Sequence, residues 1–293
     1  MTGLPPPSDP PHPPFAVIFS TTLSGAGYGL LAWSGLTIAL LALRGGLSPA
    51  LEGVQLGGLG LGLLLSTIGL LCSLAQVGES DRSFSQWRSS WLSREGVLAV
   101  ATAPLAMAAM ALLLWMPTGA TRAAWLACLG LLLAVMALAT VACTAMVYAS
   151  LKPIPAWRHP LVLPVYLLFA LLTGLALQLV TMAAMLRGQG PAGMLPTLVL
   201  FGLVLAALKW LYWRAIDRDM EVSELARRHA VRLRWAALAG LVALPLLATL
   251  LMAFGWIPAL AATLLAALGL LASAFAERWL LFAQARHVVS ACC

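Results

Sequence analysis

Of 293 residues, 62% are hydrophobic and 9% are charged, and the mean hydropathy is +0.96. A water-soluble domain carries roughly a quarter charged residues, so this composition excludes a soluble globular fold and leaves lipid as the solvent. The net charge of +7 does not indicate a nucleic-acid binder, because the basic residues lie between apolar spans, as membrane anchors and topology determinants do.

Taken in order, the chain opens with a proline-rich stretch, 1–14, that lacks a positive n-region and reads as a disordered or extended tail rather than a cleavable signal peptide. A membrane-crossing helix needs about 20 mainly apolar residues. Runs of that kind fall at 15–43, 51–77, 95–116, 122–149, 160–186, 193–214, 234–256 and 258–281. The expected fold is therefore all-α: a transmembrane bundle of eight helices over 15–286, followed by a short tail, 287–293. Pro160 and Pro164 open the fifth helix, where a missing N–H costs no helical hydrogen bond. In the second span Gly53/Gly57 and Gly58/Gly62 stand four residues apart, a spacing that lets helices approach closely in a membrane.

Three longer polar connections, Gly78–Arg94, Ser150–His159 and Ala215–Arg234, carry most of the arginine. The opposite face has little beyond Arg44, Arg122 and Arg187. The positive-inside rule would put the arginine-rich face and both termini in the cytoplasm, although loops packed on a partner subunit carry arginine for other reasons. The segment DRDMEVSELARRHAVRLR, acidic first and basic last, suits the dipole of a short surface helix or a docking surface. Arginine outnumbers lysine fifteen to two and asparagine is absent, which fits a GC-rich bacterial genome; the expected location is the bacterial inner membrane.

Several chemistries lack their residues. His12, His159, His229 and His287 lie in the tail, in loops or near the end, so none is placed to ligate a haem at mid-depth. Cys72, Cys128, Cys143, Cys292 and Cys293 form no CxxC pair; the first three read as small buried thiols, and no metal site is expected. Walker, HExxH and GxSxG motifs are missing from suitable settings. Ionisable residues in or beside spans are few: Glu95 at the start of the third, Lys209 in the sixth, read as snorkelling to the surface, and Glu277-Arg278 late in the eighth. Gln178 is expected to bond across helices.

The densest polar cluster is QVGESDRSFSQWRSSWLSRE, residues 76–95. It gathers the helix-end amide of Gln76, three arginines, Trp87, Trp91 and the carboxylate of Glu95. Tryptophan at this level is ordinarily an interfacial belt residue. The same set also meets the needs of a quinol headgroup: an aromatic wall, a hydrogen-bond partner and a proton acceptor beside the aqueous boundary.

Here, in FSQWRSSWLSREGVLA (84–99), MVYASLKPIPAW (146–157), ERWLLFAQARHVV (277–289) and VIFSTTLSGAGYGLL near the start, the chain resembles the membrane anchor subunits of bacterial dimethyl sulfoxide reductases. The resemblance covers nearly the whole chain. It implies eight helices, and partnership with a four-cluster iron–sulfur subunit and a molybdopterin catalytic subunit. It also implies oxidation of menaquinol in anaerobic respiration, with no metal or haem bound by the anchor itself. Glu95 matches the family's carboxylate, and Arg82 its loop arginine. Quinol contacts would come from Gln76, Gly78, Arg82, Trp91, Arg94 and Glu95, and partner docking from Arg88, Lys152 and Arg158. One departure matters. Family members commonly end the second helix with His-Leu-Gly, where this chain has Gln76-Val77-Gly78, and neutral glutamine accepts no proton.

The leading expectation is a quinol-oxidising anchor with Glu95 as proton acceptor and Gln76 as a headgroup contact. The first alternative is a divergent paralogue that tethers partner subunits without quinol chemistry. A secondary transporter would need paired broken helices and charges near the midplane, which the sequence does not offer.

Overall fold

Hydrocarbon offers the backbone no hydrogen-bond partners, so each apolar run closes its own N–H and C=O groups as a helix. A computed structural model describes residues 15–77, 82–150, 157, 159–186, 192–219 and 224–291. Side chains are described for these positions except 74–77, 82–90, 92–93, 192, 218–219, 224–230 and 283–291. The helices are α1 (Phe15–Leu43), α2 (Pro49–Val77), α3 (Arg82–Trp115), α4 (Ala120–Ala149), α5 (Val162–Met185), α6 (Leu195–Asp219), α7 (Glu224–Leu238), α8 (Leu244–Ala253) and α9 (Ala259–Ala291). Among the described residues there is no strand. Eight spans are long and apolar enough to cross a membrane, the seventh being Val231–Ala253, made from α7 and α8. A π-helical turn, Ala239–Ala243, joins those two. Pro245 supplies the cause, because it has no N–H to offer the carbonyl of Leu241 and its ring crowds that turn.

Several helices outrun the spans expected from hydropathy. α3 begins at Arg82, so most of the connection Gly78–Arg94 is helix. α6 and α7 together take up most of Ala215–Arg234, and α9 continues to Ala291 through most of the expected tail 287–293. Hydropathy marks where lipid ends. A helix that has satisfied its own backbone continues past that limit into polar sequence.

The bundle is organised around α1 and α5. In their most apolar stretches 67% and 72% of residues are buried, against 28% for the second, third and seventh spans, which face lipid instead. Small residues make that centre. A Cβ added at Gly29 of α1 would collide with the carbonyl oxygen of Ala170, and one at Gly174 of α5 would collide with the carbonyl carbon of Gly29. A second crossing, of α1 on α4, has Gly35 against Gly130 in the same way. Of the expected α2 glycines, Gly58 and Gly62 press on Ser34 and Leu31 of α1, whereas Gly53 meets nothing. Ser34 Oγ donates to Gln178 Oε1 at 3.1 Å, the cross-helix bond expected for that amide. The span cysteines are less buried than expected: Cys72 and Cys143 are half-buried and Cys128 is exposed. An exposed site in a span faces lipid, which a thiol tolerates as readily as a core.

Candidate functional site

Successive spans run in opposite directions, so the first turns of α1, α3 and α5 share one end of the bundle with the last turns of α2, α4, α6 and α9. Among the described residues, most of the arginines belong to this end. Glu95 sits there, one residue inside the third span, half-buried. Thr144 Oγ1 of α4 donates to Glu95 Oε1 at 2.8 Å, with Thr140 O at 3.1 Å as its alternative acceptor. Around the carboxylate, α1 to α4 enclose a recess of about 30 Å³. Its wall is polar for a membrane protein: Ser20, Thr21, Ser24 and Tyr28 from α1, Ser73 from α2, and Thr144 and Tyr148 from α4. The recess has room for about one or two waters, so a substrate ring could meet Glu95 only at the mouth.

Of the other expected contacts, the two with described side chains, Trp91 and Arg94, lie outside the wall of this recess. Trp91 is half-buried and Arg94 exposed; the Arg94 guanidinium lies 4.8 Å from the Trp91 ring centre, a pairing along α3 itself. Gln76, Arg82 and Arg88 lie on described helix, but their side chains are outside the described set, and Gly78, Lys152 and Arg158 are outside the described residues altogether.

A second polar centre lies at the same end, between α5, α6 and α9, and it corrects the expectation for Lys209. That lysine does not snorkel: with α6 running on to Asp219, it is 2% exposed and its ammonium donates to Glu277 Oε1 at 2.5 Å. It also stands 4.3 Å from the centre of the Tyr212 ring. The second carboxylate oxygen of Glu277 is 3.6 Å from an Arg278 amino nitrogen, and the Arg278 guanidinium covers the Tyr166 ring at 3.2 Å. Two cations and one carboxylate are thus buried together, with aromatic faces taking up part of the excess positive charge. A cavity of about 10 Å³ among Tyr166, Lys209, Tyr212 and Glu277 would admit at most one water. Tyr148 links the centres, since it lines the Glu95 recess and stacks on Tyr166 with 6.1 Å between ring centres.

Arg122, expected on the sparsely charged face, is 5% exposed. It donates to Glu52 Oε1 and to the carbonyls of Leu112 and Leu113, closing the end of α3.

The profile of a family described as "DMSO reductase anchor subunit (DmsC)" matches residues 11–284. A sulfite dehydrogenase subunit from Allochromatium vinosum is 35% identical over 180 residues, which are 57% of this chain and 54% of that protein. The chain thus spans about half the length of that curated relative.

Proposed function

The chain belongs to the DMSO reductase anchor subunit family, and from that premise we propose that it exchanges electrons with menaquinol on behalf of partner subunits in a molybdopterin/iron–sulfur oxidoreductase. Membership makes it a multi-pass membrane anchor for partner subunits; the quinol chemistry is the proposal. The observation that carries it is Glu95, a carboxylate at the boundary of a lipid-embedded span, held by Thr144 and fronting a hydroxyl-lined recess.

Oxidising a quinol to a quinone releases two electrons and two protons, and each proton needs an acceptor within hydrogen-bond reach. In this reading the ring lies at the mouth of the recess with one hydroxyl on Glu95. The carboxylate takes that proton, while Thr144 keeps it oriented; the second hydroxyl, at the mouth beside the aqueous boundary, gives its proton to water. Gln76 offers a neutral hydrogen bond in place of the family's histidine, so Glu95 carries the acid–base work alone at this position. The electrons pass to an iron–sulfur partner docked on the arginine-rich end. Trp91 and Arg94 border the approach, and Arg88, Lys152 and Arg158 belong to the docking face.

The relative's name denotes a dehydrogenase, an enzyme that withdraws electrons from its substrate. The same site would serve that traffic in reverse, with quinone reduced and protons supplied through Glu95. Membranes holding the whole complex test the reading. Glu95→Gln should abolish electron exchange with quinol or quinone while leaving assembly intact, and unchanged turnover would sink it in favour of a passive tether. Supplying reduced and oxidised quinone in separate reactions gives the direction.

A further inference from the structure

At the end of the bundle opposite Glu95, a cavity of about 310 Å³ opens between the α1–α2 connection and the α3–α4 turn. That is within the range of small-molecule sites, roughly 300–1,000 Å³. Its wall combines Leu41, Leu47 and Leu126 with the ion pair of Glu52 and Arg122 and with Gly119 at the head of α4. Trp115 and Trp125, both largely exposed, flank this level as interfacial tryptophans do.

The ion pair is lopsided. Arg122 already donates through all three of its nitrogens: Nε to Leu112 O, one amino group to Leu113 O at 2.9 Å and the other to Glu52 Oε1 at 2.9 Å. Glu52 uses one oxygen for Arg122, and its other oxygen has no partner among the described residues. Across the cavity, α4 starts at Ala120 with no side-chain cap, so the first-turn N–H groups have no partner within the helix. One wall thus offers an acceptor carrying negative charge and another offers donors at the positive end of a helix dipole.

We propose that this cavity binds the headgroup of a phospholipid bearing a primary ammonium, phosphatidylethanolamine. The ammonium donates to the unused oxygen of Glu52, the phosphate accepts from the first turn of α4, and the leucines take the glycerol and upper acyl carbons. A choline headgroup has no N–H to donate, and a glycerol headgroup has no cation, so the site distinguishes both from ethanolamine. The preference should be on the order of tenfold, the size of one charge-assisted hydrogen bond.

The full chain, with the subunits that copurify, is placed in nanodiscs of equimolar phosphatidylethanolamine, phosphatidylcholine and phosphatidylglycerol with identical acyl chains. Progressive delipidation followed by native mass spectrometry then reads the retained lipid. The expected result is a retained phosphatidylethanolamine that Glu52→Gln reduces to parity with phosphatidylcholine; the amide still offers Arg122 an oxygen, so the fold persists. Ala120→Trp, which adds bulk at the rim and leaves the charges alone, should lose all tightly held lipid and serves where Glu52→Gln does not assemble. Equal retention of the three lipids, preference for phosphatidylglycerol, or an ethanolamine preference that survives both variants would overturn the proposal.

Discussion

Consider the removal of one partner from the buried pair Lys209–Glu277. Both side chains are 2–3% exposed, so neither can recover its hydration when the other is lost. Taking one charge from a buried pair costs about 3–5 kcal/mol, because the survivor stays dehydrated and uncompensated. The two single variants should differ. Lys209→Met leaves Glu277 with Arg278 at 3.6 Å, whereas Glu277→Gln strands two cations, Lys209 and Arg278, around an amide. Glu277→Gln should therefore sit at the upper end of the range and Lys209→Met at the lower. The double variant Lys209→Met with Glu277→Gln should lose less than the sum of the singles, by at least about 1 kcal/mol, because residues in direct contact couple by this much. Melting of the detergent-solubilised complex, followed by a thiol-reactive dye, reads the ordering at roughly 2–4 °C per kcal/mol. Additive losses, or a Lys209→Met variant that melts with the wild type, would refute the description of a dehydrated pair and return Lys209 to a water-exposed position.

The recess and the helix centre make further predictions. Thr144→Val removes the hydroxyl that orients Glu95 and should lower quinol-dependent kcat about tenfold with KM nearly unchanged, as expected for a lost hydrogen bond to a charged group; an unchanged kcat would show that Thr144 does not orient the carboxylate. Gly174→Ala drives a Cβ into the α1 backbone at Gly29 and should cost several kcal/mol by forcing α1 and α5 apart, seen as loss of assembled complex from membranes. Gly53→Ala, where a Cβ meets nothing within 4 Å, is the control and should assemble normally.

The spans are legible in the sequence because, in lipid, an apolar run of sufficient length has no competing structure. Glu95 is legible for the complementary reason: an acid at the edge of an apolar run is costly and stands out. What the runs do not display is which residues meet. Lys209 and Glu277 lie 68 residues apart; Glu277 reads as an acid that meets a partner on another helix, but Lys209 reads as a span-end charge and nothing names it as that partner. Glu52 and Arg122 are 70 apart, and Arg122 alone reads as a surface anchor. The glycine spacing of α2 is readable, and half of it is used against α1; the tighter Gly29–Gly174 crossing carries the same four-residue spacing, in Gly25/Gly29 of α1 and Ala170/Gly174 of α5, but that spacing does not show which two helices meet. Tyr28 and Thr144 escape notice as neighbours of Glu95 for the same reason, although polar residues in three separate spans at a common depth are a usable clue.

The central claim is that a quinol headgroup meets the chain at the Glu95 corner. Photolabelling of the intact complex in membranes with a quinone analogue carrying a light-activated group on the ring, followed by peptide mapping, tests it most directly. Crosslinks are expected on the peptides carrying Ser20–Tyr28, Gly69–Ser73, Trp91–Ala99 and Thr144–Tyr148, displaced by excess quinol and weakened by Glu95→Gln. Displaceable labelling confined to other parts of the bundle, or no displaceable labelling at all, would contradict it.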